Sequence, residues 1–141
     1  KANFLTPVMT LKSSVSDIKF VSKGQGVSYS HTWIAKHDSI IGIVPIGYAD
    51  GVHRLLSNRG SVIVNNQRAP IIGNICMDYL MIDLTAIDRM TKVNKNCEVI
   101  LLGFAKSGGE FIGADEQAVH AQTITWEVLT NVGVRVPRVV V

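Results

Sequence analysis

Apolar residues in this chain come in strand-length runs that end on turn residues, and only one stretch near the C-terminus departs from that rhythm. SVIVNNQRAPII, residues 61–72, shows the pattern plainly. Two extended runs flank Asn65-Asn66, a pair that tolerates the positive φ a two-residue hairpin demands. The same signals mark strand candidates at Val8 to Leu11, Val15 to Val21, Val27 to Ala35 and Ile40 to Ile46, with Lys23-Gly24-Gln25-Gly26 as a turn. Tyr79 to Leu84 alternates Leu80, Ile82 and Leu84 against Tyr79, Met81 and Asp83. Glu98 to Leu102 is apolar without alternation, as a buried strand would be, and Ser107-Gly108-Gly109 turns the chain into Glu110 to Ile112.

The period lengthens only in ADEQAVHAQTITWEVLTNVG, which reads as one or two helical segments with Asp115 and Glu116 in a first turn and Gly133 as C-cap. A last strand, Val134 to Val140, carries Pro137, which belongs on an edge or at a bulge. Many short antiparallel strands with a short helical pair near the C-terminus predict a mainly β domain, a closed Greek-key barrel or a sandwich. The 141 residues suffice for one domain, 1–141, and 47% apolar with 18% charged residues suits a folded one. Lys1 at the start and the run Val139, Val140 and Val141 at the end read as cut ends of a longer polypeptide.

Several classes are disfavoured. Net charge is +3, but the cations are scattered and not interleaved with aromatics, so no nucleic-acid surface is expected. The longest apolar run, Ile40 to Ile46, contains Gly42 and Pro45 and is too short to span a bilayer. Cys76 and Cys97 match no metal spacing; reduced thiols in a cytoplasmic protein are expected, and no metal.

Three stretches combine polar and aromatic groups. In GVSYSHTW, residues 26–33, strand alternation would put Val27, Tyr29, His31 and Trp33 on one face, making Tyr29 a packing residue. In VPIGYADGVHR, residues 44–54, Gly47 and Gly51 bracket Tyr48 and Asp50 ahead of Arg54. That loop suits either a binding site or a turn in which Asp50 accepts backbone N–H groups and Arg54 is solvated. In GNICMDYLMIDLT, residues 73–85, Asp78 and Asp83 would face opposite ways on one regular strand, which argues against a metal pair. Cys76 and Met77 are then expected to pack while Asp78 closes a turn. His31, His37, His53 and His120 are isolated from one another, and spacing alone names no reaction.

Taken in order, PVMTLKSSV, GVSY, VPIGYADG, APIIGNICMD and TITWEVLTNVGVRVPR resemble the C-terminal domain of alanine racemases, over essentially the whole chain. The resemblance implies a pyridoxal-phosphate enzyme that interconverts L- and D-alanine. An N-terminal α/β barrel, absent from this chain, would carry the cofactor and its Schiff-base lysine. Lysines 1, 12, 19, 23, 36, 92, 95 and 106 match no such motif and are read as surface cations. Inversion needs a base on each face of Cα, and the resemblance places the second base at Tyr29. A phenol, with an unperturbed pKa of about 10, serves near neutrality only where neighbours favour the phenolate. Those neighbours belong to the barrel, so the isolated domain is expected to be inactive.

By the same transfer Tyr48 stands at the substrate entrance, Met77 offers its N–H to the substrate carboxylate with Asp78 as turn support, and Arg54 lines the corridor. The site would be shared across a homodimer, and its product would be D-alanine for peptidoglycan precursors. Two positions depart from the pattern. Trp126 stands where a tyrosine reaching the cofactor phosphate is expected, and Asn74 where many members carry an arginine. Serine or broad-specificity racemisation, a related decarboxylase, or a non-catalytic β module fused to another enzyme are the alternatives.

Overall fold

Turn chemistry sets the strand pairing. In the computed structural model, which describes residues 6–106 and 108–140, Asn65 and Asn66 adopt φ of 49° and 59° and join β6 (Ser61–Val64) to β7 (Gln67–Ile72) as the expected hairpin. Lys1, Ser107 and Val141 lie outside the described residues. β1 (Leu11–Ser14), β2 (Asp17–Val21), β5 (Ser39–Val44), β8 (Leu80–Asp83), β9 (Glu98–Phe104) and β10 (Phe111–Ile112) complete an eight-stranded antiparallel sheet. Its order is β1-β9-β6-β7-β8-β5-β2, with β10 also on β9. A separate two-stranded ladder pairs β3 (Gly26–Val27) with β4 (Trp33–Ile34).

The sheet curls into a half-barrel but does not close, which corrects the expected closed Greek-key barrel. The physical reason lies at Val15 and Ser16. The Val15 N–H donates to Cys97 O at 2.9 Å and the Ser16 N–H to Ile43 O at 2.8 Å, so the chain changes partner from the β9 side to β5 at this crossing. One stretch serves both edges in succession, and β1 and β2 share no ladder.

β8 shows why the core sits inside the curl. Leu80 and Ile82 have no exposed surface, and Leu84 beyond the strand is buried with them. Burying such side chains stabilises the fold by roughly 1.5–3 kcal/mol each. The unbroken apolar run of β9 is buried on both faces: Val99 and Leu101 join the main core, while Ile100 packs with Ile63, Ala105 and Ile112.

The helical region resolves into α2 (Ala114–Ala121) and α3 (Thr125–Thr130), following α1 (Thr85–Met90), which the sequence did not signal. Gln122, with φ 55°, ends α2, and Gly133 is not a helix cap; its N–H donates to Asp50 O at 3.0 Å. Arg68 of β7 bonds Glu110 at 2.8 Å and Glu116 at 2.9 Å and so docks α2 on the sheet.

Three strand expectations change. Val8 is fully exposed, and the β1–β9 ladder begins at Leu11. Residues 134–140 form no strand. Pro137 offers no N–H to a ladder, and Arg138 instead bonds the carbonyls of Val132 at 2.9 Å and Val136 at 3.0 Å. The run Val27 to Ala35 is broken in the middle, where the candidate site begins.

Candidate functional site

Between β3 and β4 the chain forms a tight turn with a 3-10 helix at Tyr29–His31. Ser30 and His31 take φ of 59° and 44°, and Ser28 takes φ 66° with ψ −178°. That last region is nearly exclusive to glycine and costs a residue with a side chain roughly 1–3 kcal/mol. The alternation expected for this stretch therefore fails. Val27 is buried against Ile41 and Ile72, with Trp33 beside them, but Tyr29 is 73% exposed at the tip of the turn.

Two further loops meet it. Tyr48–Asp50 forms a 3-10 turn between Gly47 and Gly51, and its backbone lies directly on the Cys76-Met77 loop. The Tyr48 N–H donates to Cys76 O at 3.1 Å and the Ala49 N–H to Met77 O at 3.0 Å. A Cβ at position 47 would stand 2.2 Å from Cys76 O, so only glycine permits this approach. Asp50 accepts the Gly47 N–H at 2.9 Å, as the turn reading anticipates.

Sequence reasoning missed the residue that ties these loops together. Arg135 donates through Nε to Asp50 at 2.6 Å and through its terminal nitrogen to Asp78. Burial pushes the Asp50 carboxyl up, but the Arg135 guanidinium and the Gly47 N–H outweigh it and hold it below the usual carboxylate range. Bonds to Asp50 and then Asp78 raise the Arg135 pKa in turn. The signal available was a pair of arginines, Arg135 and Arg138, in the mostly apolar closing segment GVRVPR.

The three loops enclose an open cavity of about 390 Å³ whose wall includes Tyr29, Tyr48, Arg54 and Met77, together with Asn74, Asp78 and Tyr79. The four residues read as catalytic or substrate-contacting thus converge, although they come from three separate segments. Tyr79, expected on the outer face of a strand, is a wall residue that reasoning from alternation missed. Met77 is 52% exposed rather than packed, and its loop is held instead by the backbone bonds from Tyr48 and Ala49. Its N–H has no hydrogen-bond partner among the described residues. Trp126 is not one of the wall residues; it lies on α3, 73% exposed.

Three phenols, a guanidinium and a free backbone donor suit a small anionic ligand that also needs a proton moved. Among the described residues no lysine lines the cavity. Lys12, Lys19, Lys92, Lys95 and Lys106 are exposed and paired with Glu98, Asp17 or Asp88, as surface cations should be. Cys76 and Cys97 are free thiols. Asp83 accepts the Thr85 N–H at 2.9 Å and has no part in the cavity, and among the described residues no acidic, His or Cys cluster is placed for a metal. No described helix is long and apolar enough to cross a membrane.

Comparison with known proteins gives a consistent set. The family described as alanine racemase, C-terminal domain, matches residues 8–140. The alanine racemase of Thermodesulfovibrio yellowstonii is 48% identical over 94% of this chain and 35% of its own length. Among solved structures, the alanine racemase of Bacillus anthracis with bound L-Ala-P superposes with a TM-score of 0.81 at 39% identity, over 90% of this chain and 31% of that one. That of Bartonella henselae, with covalently bound pyridoxal phosphate, gives 0.83 at 31% identity, over 92% and 34%. The chain spans about a third of the length of the curated relatives it matches.

Proposed function

The chain belongs to the family of alanine racemase C-terminal domains, and from that premise we propose that it serves as the second domain of a pyridoxal-phosphate-dependent racemase of alanine. The observation that carries the reading is the convergence of Tyr29, Tyr48, Arg54 and Met77 on one open cavity. The fit to the cofactor is that of an outer wall. Among the described residues no lysine lines the cavity, so this wall would offer the cofactor donors and phenols rather than its covalent attachment.

When bound beside this wall, pyridoxal phosphate would supply an electron sink for the substrate's Cα. The Tyr29 phenol oxygen would move the Cα proton on one face. The Met77 N–H holds the substrate carboxylate, which fixes Cα relative to the phenol. Arg54 and Tyr48 stand at the entrance, where a cation draws in a carboxylate and a phenol narrows the passage. Sites shared across a homodimer would set this wall against the partner's cofactor, in a cytoplasmic enzyme supplying D-alanine for peptidoglycan precursors. For Trp126 the proposal is narrower. Its indole N–H would meet the cofactor phosphate outside this cavity, so Trp126→Phe should weaken cofactor binding without slowing proton exchange at saturating cofactor.

The test uses the full-length protein with pyridoxal phosphate. Wild type and Tyr29→Phe are compared for α-proton exchange from each alanine enantiomer. Exchange from one enantiomer should fall sharply while the cofactor absorption band persists; equal rates in the two proteins would remove Tyr29 from the chemistry.

A further inference from the structure

Tyr29 is held by its backbone. Its side chain makes no hydrogen bond to a described residue, so the direction of the phenol depends on the turn beneath it. That turn is strained at Ser28, and strain of this kind persists only where surrounding groups over-determine the conformation. The Met77 loop supplies those groups. Ser28 Oγ donates to the carbonyl oxygen of Asn74 at 2.6 Å, and Asn74 Nδ2 donates back to the carbonyl oxygen of Tyr29 at 2.9 Å. The two bonds run in opposite directions and bracket the Ser28–Tyr29 peptide.

Two more contacts hold the far side of the turn. Gly73 takes φ 67°, and a Cβ there would lie 2.7 Å from that of Ser28, so the loops touch with no room between them. The Gly73 N–H donates to Asn58 Oδ1 at 2.7 Å, and Asn58 Nδ2 donates to Thr32 Oγ1 at 3.1 Å. The Asn74 amide reaches Tyr29 itself, the residue that bears the phenol.

We propose that Asn74 is the positioning residue for Tyr29: its side-chain amide, by donating to the Tyr29 carbonyl, locks the strained turn that aims the phenol into the cavity. This rests on the reading of Tyr29 as the proton-transfer group. The chemistry required is a short, uncharged donor. An aspartate of the same shape would set a carboxylate oxygen against a carbonyl oxygen, and alanine would leave the turn free to relax at Ser28.

The test is made on the full-length enzyme with pyridoxal phosphate. Asn74→Ala and Asn74→Asp are each expected to lower kcat about ten- to a hundredfold, the scale of a misplaced reacting group, with KM changed less than about threefold. The loss should fall on the same alanine enantiomer whose α-proton exchange Tyr29→Phe impairs. Because Asn74 acts through the phenol, adding Asn74→Ala to Tyr29→Phe should cost nothing further. Ser28→Gly, which removes the strain, should return part of the activity of Asn74→Ala. Hydrogen exchange gives an activity-independent readout. The His31 amide, which donates to Ser28 O at 3.3 Å, should lose protection in Asn74→Ala. Unchanged kcat with unchanged His31 protection, or losses that multiply with Tyr29→Phe, would overturn the inference. If Tyr29→Phe alone keeps full exchange, the role of Tyr29 fails, while His31 protection still decides whether Asn74 locks the turn.

Discussion

Replacing Arg135 by Met keeps the aliphatic stem and deletes the guanidinium that bridges Asp50 and Asp78. The rim bond to Asp78 joins two partly exposed groups, 49% and 40%, and contributes little. The bond to Asp50, only 13% exposed, is charge-assisted and is the stronger of the two, weakened because Arg135 itself is half in water. Removing both should increase the opening of the loop pair roughly five- to thirtyfold. The amides of Tyr48 and Ala49, which cross from one loop to the other, read that opening directly by hydrogen exchange in the full-length protein. The pH dependence follows from Asp50. Its folded pKa is held below the ordinary value of 3.8, so its contribution is fully present above that pH and is lost as the pH falls through the lower folded value. The difference between wild type and Arg135→Met should therefore stay constant from neutral pH down to about 4 and shrink below it. Protection at Tyr48 and Ala49 that changes less than about twofold at pH 7 would refute the clamp.

Other sites give sharper or smaller effects. Gly47→Ala sets a methyl 2.2 Å from Cys76 O and 2.4 Å from Met77 O. It should cost about 1–3 kcal/mol in urea denaturation and separate the two loops; wild-type stability would mean that their backbones do not touch. Leu80→Ala, at a fully buried position, should cost about 2–5 kcal/mol by the same measurement. Glu116→Gln breaks its bond with Arg68, which is the main reason the Glu116 carboxyl lies below its ordinary 4.5. Both groups are about a third exposed, so the loss of α2 amide protection should correspond to under about 1 kcal/mol. It should be present above pH 4.5 and vanish as the pH falls through the lowered folded pKa; a difference that grows on acidification would contradict the assignment.

The strands were readable because their signals are local. Asn65-Asn66 specifies a hairpin by its own φ preference, and Leu80, Ile82 and Leu84 mark an inner face by spacing alone. The continuous run of β9 told of burial on both faces, though not of what covers each one. Closure was a different matter. Whether the sheet becomes a barrel depends on Val15 and Ser16 choosing partners far along the chain, Cys97 and Ile43, and no local pattern encodes that choice.

The site follows the same division, and its hardest residue shows why. GVSYSHTW has the composition of a strand, and alternation placed Tyr29 in the core. The chain leaves that conformation because Asn74, 45 positions away, and the Gly73 backbone hold Ser28 where a serine does not go unaided. Propensity is a weak prior, and here a contact from another segment overrides it at a cost that the surrounding bonds offset. Arg135 was invisible for a related reason: an arginine in a mostly apolar tail has no meaning until Asp50 and Asp78 are brought beside it. Ordered motifs could reveal that Tyr29, Tyr48 and Met77 belong to one site, since each motif is contiguous. The side chains that hold those motifs against one another are dispersed through the sequence, and only folding brings them together.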